Sequence, residues 1–355
     1  MGLSTQNTDP IAILIVGFRN PADVDSCLAA LANANKSPSF DIFICENGGP
    51  LAFDALVDEL VCGEQCSCEF VQDAHTLPFS HSTAQDEFVR LKVLRLPKIG
   101  ALVIVGEAPQ NLGYAGGVNA WMRPILERRK YEGLWILNPD TQPEPDALVE
   151  LVVYAQTRHK GMVGSRIVSA VEPERIHSRG LRWKPAWAST EAIDYHAPSN
   201  VAPNPEKIEA LLDAPSGASI YVTRDCIEKI GLMDERYFLY FEDLEWGLRA
   251  KQQCGVGYAW RSVVHHRGGT TIGTAGTRAN RSPLSVYLEF RNRILFVGHR
   301  YPTWFVWTVL VLLVRALEYG FVGSWINMRM AYQGIAAGLA GEIGRPDQLL
   351  AIHKP

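Results

Sequence analysis

The sequence has no surplus of basic residues: 34 lysines and arginines stand against 38 aspartates and glutamates, a formal charge of -4. A chain so balanced lacks the broad cationic surface that holds proteins on a phosphate backbone, which argues against a nucleic-acid partner. Its first apolar run has no GxGxxG behind it. The turn that follows, Gly17-Phe18-Arg19-Asn20-Pro21, cannot cradle a pyrophosphate as a dinucleotide-dependent oxidoreductase would need. Paired CxxC knuckles are missing too. The seven cysteines (Cys27, Cys45, Cys62, Cys66, Cys68, Cys226 and Cys254) are an odd number, several inside runs that read as buried, a pattern that suits reduced thiols better than a disulfide scaffold. The opening MGLSTQNTDP lacks the basic-then-apolar layout of an export signal, and Gln6 spoils a myristoylation match. Cytoplasmic residence is the expectation.

Alternating apolar runs and amphipathic stretches are what the sequence does contain. IAILIVG at 11–17 reads as a strand, and residues 21–34 carry apolar side chains at helical spacing. FDIFIC at 40–45 is a second strand, closed by Glu46-Asn47-Gly48-Gly49. ALVIVG at 101–106 is a third, followed by a glycine-rich loop feeding a helix over 113–129; LWIL at 134–137 is a fourth, closed by Asn138-Pro139-Asp140-Thr141. This alternation predicts an α/β fold with a mainly parallel central sheet flanked by helices, its ligands at the carboxyl ends of the strands. With 47% hydrophobic residues in 355, the chain can bury one sizeable core and carry extra segments.

Two stretches fall outside that pattern. Residues 51–98 read as a variable surface insertion between strands; they hold Cys62, Cys66, Cys68, His75 and His81, without the spacing of common structural zinc sites. Residues 302–326 contain an apolar run broken by Arg315 and Glu318, too short for a clean bilayer span. A helix in the membrane interface, a contact with a second copy of the chain, and a plain core helix all remain open for it.

Three polar groups can carry chemistry. Asp140 follows a buried run and Pro139, where a carboxylate can hold a hard divalent cation; NPD is also an ordinary turn. Glu242 and Asp243 sit at a helix start behind Tyr237, Phe238, Tyr240 and Phe241. There they either cap the helix or present a proton acceptor to a cleft. VVHHRGG at 263–269 offers His265 or His266 as a metal ligand, with a satisfied core histidine as the alternative.

Taken in order, six pieces resemble the family 2 glycosyltransferases of the GT-A fold, a Rossmann-like architecture, and especially the bacterial rhamnosyltransferase-like branch. They are IVGFRNPADVDSCLAAL, ICENGG, NLGYAGGVNAWM, WILNPDTQPEPDALVEL, SGASIYVTRDCIEKIGLMDERYFLYFEDLEWGLR and VVHHRGG, spanning about residues 10 to 300. The resemblance implies a catalytic domain over residues 1–280 and a C-terminal helical extension over 281–355. It implies that Phe18 and Arg19 hold a nucleotide base, with Glu46 pairing to it. Asn111, Gly113, Gly116 and Asn119 would line the nucleotide-sugar site. Asp140 matches the last acid of a DxD-like motif, and His266 its partner metal ligand, with His265 one residue away. Asp243 matches the catalytic base, with Glu242 beside it and Gly217 near the acceptor.

The resemblance further implies a divalent metal cofactor, Mn2+ or Mg2+, a nucleotide-sugar donor, and a glycan or lipid-linked glycan acceptor. The expected reaction is inverting transfer, with dTDP-L-rhamnose as first donor and UDP-galactofuranose or a UDP-N-acetylhexosamine as alternatives. Peripheral association with the inner face of the plasma membrane and assembly into a homo-oligomer are expectations of the same kind. Asn138 departs from the first acid of the DxD form, Glu245 from an aspartate and Arg19 from an asparagine. A sugar nucleotidyltransferase and a non-catalytic nucleotide-sugar-binding protein are the competing classes.

Overall fold

The computed structural model describes residues 10–35, 38–71, 77–128, 130–268, 278–347 and 349. His75, named above, lies outside the described residues, as do residues 269–277 beyond the VVHHRG strand end.

The first half alternates as expected. Strand β1 (Ile11–Gly17) leads into helix α1 (Pro21–Leu31), whose Pro21 at the first turn has no N–H to leave unpaired. Strand β2 (Phe40–Glu46) is followed by α2 (Pro50–Cys62), the two-residue strand β3 (Glu69–Phe70), α3 (His81–Glu87), β4 (Arg90–Leu96) and β5 (Ala101–Glu107). Then come α4 (Gly113–Leu126), β6 (Gly133–Leu137), β7 (Thr141–Pro143) and α5 (Ala147–Arg158).

The second half adds β8 (Met162–Ser169), β9 (Ile176–Ser178), the hairpin β10 (Leu181–Lys184) and β11 (Ser189–Ala192), α6 (Pro205–Leu211), β12 (Ser219–Thr223), α7 (Arg224–Ile230), α8 (Glu242–Gln253) and β13 (Val256–His266). Three helices, α9 (Pro283–Arg300), α10 (Phe305–Phe321) and α11 (Trp325–Leu339), follow.

One eleven-stranded sheet runs β3-β4-β5-β2-β1-β6-β12-β8-β13-β7, with β9 paired to β8. Its centre, β5-β2-β1-β6, is parallel throughout, and so is the pair β8-β13. Antiparallel β12 is wedged between β6 and β8. Both faces are covered, as a parallel sheet requires. The period-two geometry of β1 sends Ile11, Ile13 and Ile15 to one layer, with Leu28 of α1, Leu56 of α2 and Leu151 of α5. Ala12 and Leu14 face the other, with Trp121 of α4, Ile227 of α7 and Trp246 of α8.

Residues 51–98 differ from the surface insertion expected of them. Phe53, Leu56, Val57 and Leu60 of α2 are buried in the main core, making α2 the crossover helix between β2 and the sheet's edge. Strand β4 then pairs antiparallel with β5 over seven residues and widens the sheet. The polar turn residues that follow α2 hid a regular element behind a cysteine-rich passage. Cys66 and Cys68 are buried with their sulfurs 3.7 Å apart, while Cys62 is exposed.

Helix α10 is not the core helix that was one of the open readings. Contrary to the reading of this run as too short for a bilayer span, the stretch from Pro302 to Phe321 is by length and composition apolar enough to cross a membrane, and only 22% of its most apolar window is buried.

Candidate functional site

The strand directions decide which loops meet. The carboxyl ends of β1, β2 and β6 share one rim, where the turns carrying Phe18, Glu46 and Asp140 emerge. Because β12 runs the other way, its beginning lies there: Ser219 pairs with Leu137, and the Asn138 amide donates to the Ala218 carbonyl at 3.1 Å. Gly217 is thereby set beside the Asn138-Pro139-Asp140 turn.

At one end of the rim, Glu46 is fully buried. Its Oε1 accepts the backbone N–H of Arg19 (3.1 Å) and of Gly48 (2.7 Å), whereas Oε2 is buried with no partner. Burial, opposed by those two N–H groups and by Arg19, raises its carboxyl above the ordinary range. A Cβ at Gly17 would fall 2.8 Å from Oε2, so a side chain there would displace the Glu46 carboxylate. Arg19 sits in the left-handed region (φ 57°), its guanidinium near the Phe18 ring and its Nε donating to the Gly48 carbonyl. An unpartnered carboxylate oxygen at a strand end can accept from an N–H edge of a base.

Asn47, not singled out from the sequence, ties this end to the glycine-rich loop. Its Oδ1 accepts the Leu112 N–H (3.2 Å) and its Nδ2 donates to the Gly113 carbonyl (2.9 Å). Asn111 Oδ1 accepts the Gly113 N–H at 2.9 Å. Gly113 has φ +73°, and a Cβ there would come within 2.2 Å of the Phe238 carbonyl oxygen. Gly116 lies one turn on, against Leu112. Asn119 points elsewhere: it exchanges hydrogen bonds with both backbone groups of Met233 (2.9 and 3.1 Å) and donates to Glu235 (2.8 Å). Its side chain is spent on joining α4 to the approach to α8.

That approach is strained. Phe238, Tyr240 and Phe241 all have positive φ (63°, 70° and 80°), at a typical cost of about 1–3 kcal/mol for each non-glycine residue. Phe241 then caps α8, so that Glu242 and Asp243 open the helix where its free N–H groups favour anions. Asp243 accepts the Leu244 N–H at 2.8 Å and a backbone hydrogen bond from Gly217. Glu242 lies deeper, with Oε2 unpartnered. Burial raises both carboxyls; together with the smaller effect of the neighbouring Asp243 charge it pushes Glu242 well above the ordinary range, and backbone N–H groups restrain the rise of Asp243.

At the far end, register places the histidines. Strand β13 pairs with β7 so that His266 lies opposite Thr141 and His265 opposite Gln142. Adjacent strand residues face opposite sides. His266 Nε2 lies 3.2 Å from Asp140 Oδ1, and His265 Nε2 3.2 Å from Glu144 on the other side. Asp140 Oδ2 accepts the Gly268 N–H at 3.1 Å. Nδ1 of His266 is buried without a partner.

His177 on β9, which no spacing marked, completes this end. Its ring meets His266 edge-on at 4.9 Å, and burial, with the neighbouring His266, pushes its pKa down to about 4. It is therefore neutral at physiological pH. Among the described residues no three His, Cys, Asp or Glu side chains form a metal cluster. A two-ligand site is still consistent with the donor set. Donors about 2.1 Å from one cation at right angles stand roughly 3 Å apart, close to the Asp140–His266 separation.

Tyr114 lies between the α8 acids and the Asp140 turn. Its hydroxyl donates to the Gly217 carbonyl at 2.9 Å. Burial raises its pKa well above the usual value, and the charges of Glu242, Asp243 and Asp140 all add to the rise. The carboxylates of α8 and of the β6 turn thus act on the same phenol. Glu46, Asn111, Gly113, Gly217, Asp140, His266, Glu242 and Asp243 come together along one rim; Asn119 lies behind it.

No family model matches the chain. Over 268 residues, 67% of this chain and 76% of the relative, it is 23% identical to the low-salt glycan biosynthesis hexosyltransferase Agl10 of Haloferax volcanii. Among solved structures it is similar to residues 1–349 of S. aureus TarS (TM-score 0.44, 10% identity, 94% of this chain and 92% of that one). It is also similar to the mannosyltransferase PcManGT from Pyrobaculum calidifontis in complex with GDP-Man and Mn2+ (TM-score 0.49, 11% identity, 94% and 87%). Likenesses of that size leave the architecture resting on the sheet topology itself.

Proposed function

We propose that the chain is an inverting glycosyltransferase that moves a hexosyl group, L-rhamnose from dTDP-L-rhamnose by first choice, onto a hydroxyl of a growing glycan. The observation that carries the reading is the rim around Tyr114. The Asp140–His266 carboxylate–imidazole pair stands at one end, an unpartnered Glu46 oxygen at the other, and the buried carboxylates Glu242 and Asp243 lie beside Gly217. The similarity to a hexosyltransferase of glycan biosynthesis supports the same class.

In this reading Glu46 receives the base, and Asn111 with the α4 start lines the sugar nucleotide. Asp140 and His266 would hold a divalent cation, Mn2+ or Mg2+, which when bound would supply positive charge to offset that growing on the departing diphosphate. Asp243 takes the proton of the acceptor hydroxyl as that oxygen attacks from the opposite face, so the anomeric centre inverts in one displacement. Two adjacent buried carboxylates ionise unequally. Glu242, the more strongly raised by burial and by the adjacent Asp243 charge, holds a proton more tightly than Asp243, which leaves Asp243 as the acceptor in this reading. Tyr114 stays protonated and fixes the Gly217 carbonyl beside the base.

The acceptor reaches this site at a lipid surface. Supporting that are Trp187, Trp304, Trp307 and Trp325, each exposed by 38% or more, set among exposed Val306, Leu310, Val314, Leu317 and Phe321. Tryptophans on an amphipathic helix suit the boundary between headgroups and acyl chains.

The test is transfer to a glycan acceptor with a panel of dTDP- and UDP-sugars and Mn2+ or Mg2+. Nucleoside diphosphate and a product of inverted anomeric configuration should be released. Asp243→Asn should lower the rate about 10²-fold or more while leaving nucleotide affinity nearly intact. Pyrophosphate release would identify a nucleotidyltransferase instead, and undiminished turnover would remove Asp243 as the base.

A further inference from the structure

Behind the acids stands a helix that none of the six motif pieces reaches. Arg291, Asn292 and Arg293 occupy consecutive positions in α9 and are nearly inaccessible (0%, 0% and 5% exposed). Asn292 directs its amide nitrogen at three carbonyls of the strained passage into α8: Tyr237 (2.8 Å), Leu239 (2.7 Å) and Tyr240 (3.0 Å). Arg291 Nη2 donates to the Tyr237 carbonyl at 3.2 Å, and its Nε donates to Asn292 Oδ1 at 3.0 Å, fixing which way the amide faces. The Arg293 guanidinium lies 5.6 Å from the Phe241 ring centre. Higher on the same helix, Ser285 receives the Tyr240 hydroxyl at 3.0 Å.

Packing alone does not call for this chemistry. A buried asparagine in a helix interior is a poor helix former and is tolerated only where its polar atoms are used. Here they are used on one target, the backbone of residues 237–240. The Tyr237, Leu239 and Tyr240 carbonyls meet α9 in a passage where Phe238, Tyr240 and Phe241 hold left-handed conformations, directly before Glu242 and Asp243 at the start of α8. The loop touches the donor side as well, since the Phe238 carbonyl accepts the Tyr114 N–H at 2.8 Å.

We infer that Asn292, supported by Arg291, is a positioning residue for the proton acceptor: its amide clamps the 237–240 backbone in the strained form that presents Asp243 beside Gly217. The inference rests on the glycosyltransferase reading and on Asp243 as its base. Asn292 touches neither substrate.

The experiment is Asn292→Ala and Arg291→Lys in the full chain, with transfer followed across pH and nucleoside diphosphate binding measured with Mn2+ by calorimetry. Asn292→Ala should lower kcat about 10- to 100-fold, and Arg291→Lys by a smaller factor, with nucleotide affinity within about twofold of wild type. In both variants the acidic limb of the kcat profile should move to lower pH, because a loosened loop lets water reach a carboxyl whose pKa burial had raised. A folded variant with lower melting temperature but unchanged kcat and pH limb would reduce Asn292 to a fold-holding residue and overturn the inference. Should Asn292→Ala not fold, Arg291→Lys is read by the same two criteria. A wild-type chain that transfers no sugar removes the functional reading and this inference with it; an active wild type with indifferent variants removes this inference alone.

Discussion

A carboxyl buried beside another carboxyl gives up its proton late. Asp243 and Glu242 are both raised by burial, and the sign has two consequences. The proposed base is inactive while protonated, so transfer should rise with pH through a limb above the ordinary carboxylate range. In the folded chain these groups bind protons more tightly than in the unfolded chain. Their contribution to stability is therefore fully present below the unfolded pKa and is lost as pH rises through the raised value. Asp243→Asn should thus raise the melting temperature at neutral pH while transfer collapses, and the gain should vanish in mild acid. A melting temperature lowered equally at both pH values would contradict the burial argument. At the other end of the rim, Asp140→Ala would remove one of the two proposed cation ligands. Donor binding should lose its dependence on Mn2+ in calorimetry; the same metal response in variant and wild type would separate Asp140 from the cation.

At the scale of elements, the strands were legible and several partners were not. The runs at 11–17, 40–45, 101–106 and 134–137 announce themselves by their mostly apolar character, because a strand buried on both faces needs it. Helix α2 was obscured because the sequence after it is polar and rich in cysteine, although its own apolar spacing is helical. Tyr114, His177 and Asn292 leave no local mark. Each draws its place from a distant contact, as between Tyr114 and Gly217, 103 residues apart, and no window of sequence contains both partners. Helix α10 carries the element-scale prediction. Leu310 and Leu317 are 52% and 46% exposed on its open face, and such a face calls for cover. The double variant Leu310→Glu/Leu317→Glu should lose roughly tenfold or more in co-sedimentation with anionic phospholipid vesicles, with transfer to a soluble acceptor unchanged. A shift from dimer to monomer with vesicle binding intact would make the face a subunit contact.

For the whole molecule, the division at residue 280 crosses a dense set of contacts. Beyond the Asn292 and Arg291 bonds, Phe296 packs at 5.3 Å from Phe241 and 5.0 Å from Trp183, Gly344 donates to the Arg236 carbonyl, and Arg345 reaches Gln110 at 3.0 Å. The last three helices are joined to the acid-bearing loop from behind. A chain ending at residue 280 would expose Phe241, Trp183 and Leu248 and remove the Asn292 and Arg291 donors from the Tyr237, Leu239 and Tyr240 carbonyls. It should therefore lack a cooperative thermal transition and near-ultraviolet circular dichroism. A truncated chain that melts cooperatively would show the sheet domain to be self-sufficient.

Three residue pairs between β13 and β7 determine which imidazole Asp140 meets. Upstream, the β13–β8 ladder skips phase between Ala259 and Val263, so the irregularity works like a vernier on the last turn of the strand. Inserting one residue into 260–262 would shift the register by one, bringing His265 opposite Thr141 and turning His266 to the other face. Ligand identity at this rim is in that sense a matter of arithmetic carried by backbone several residues away.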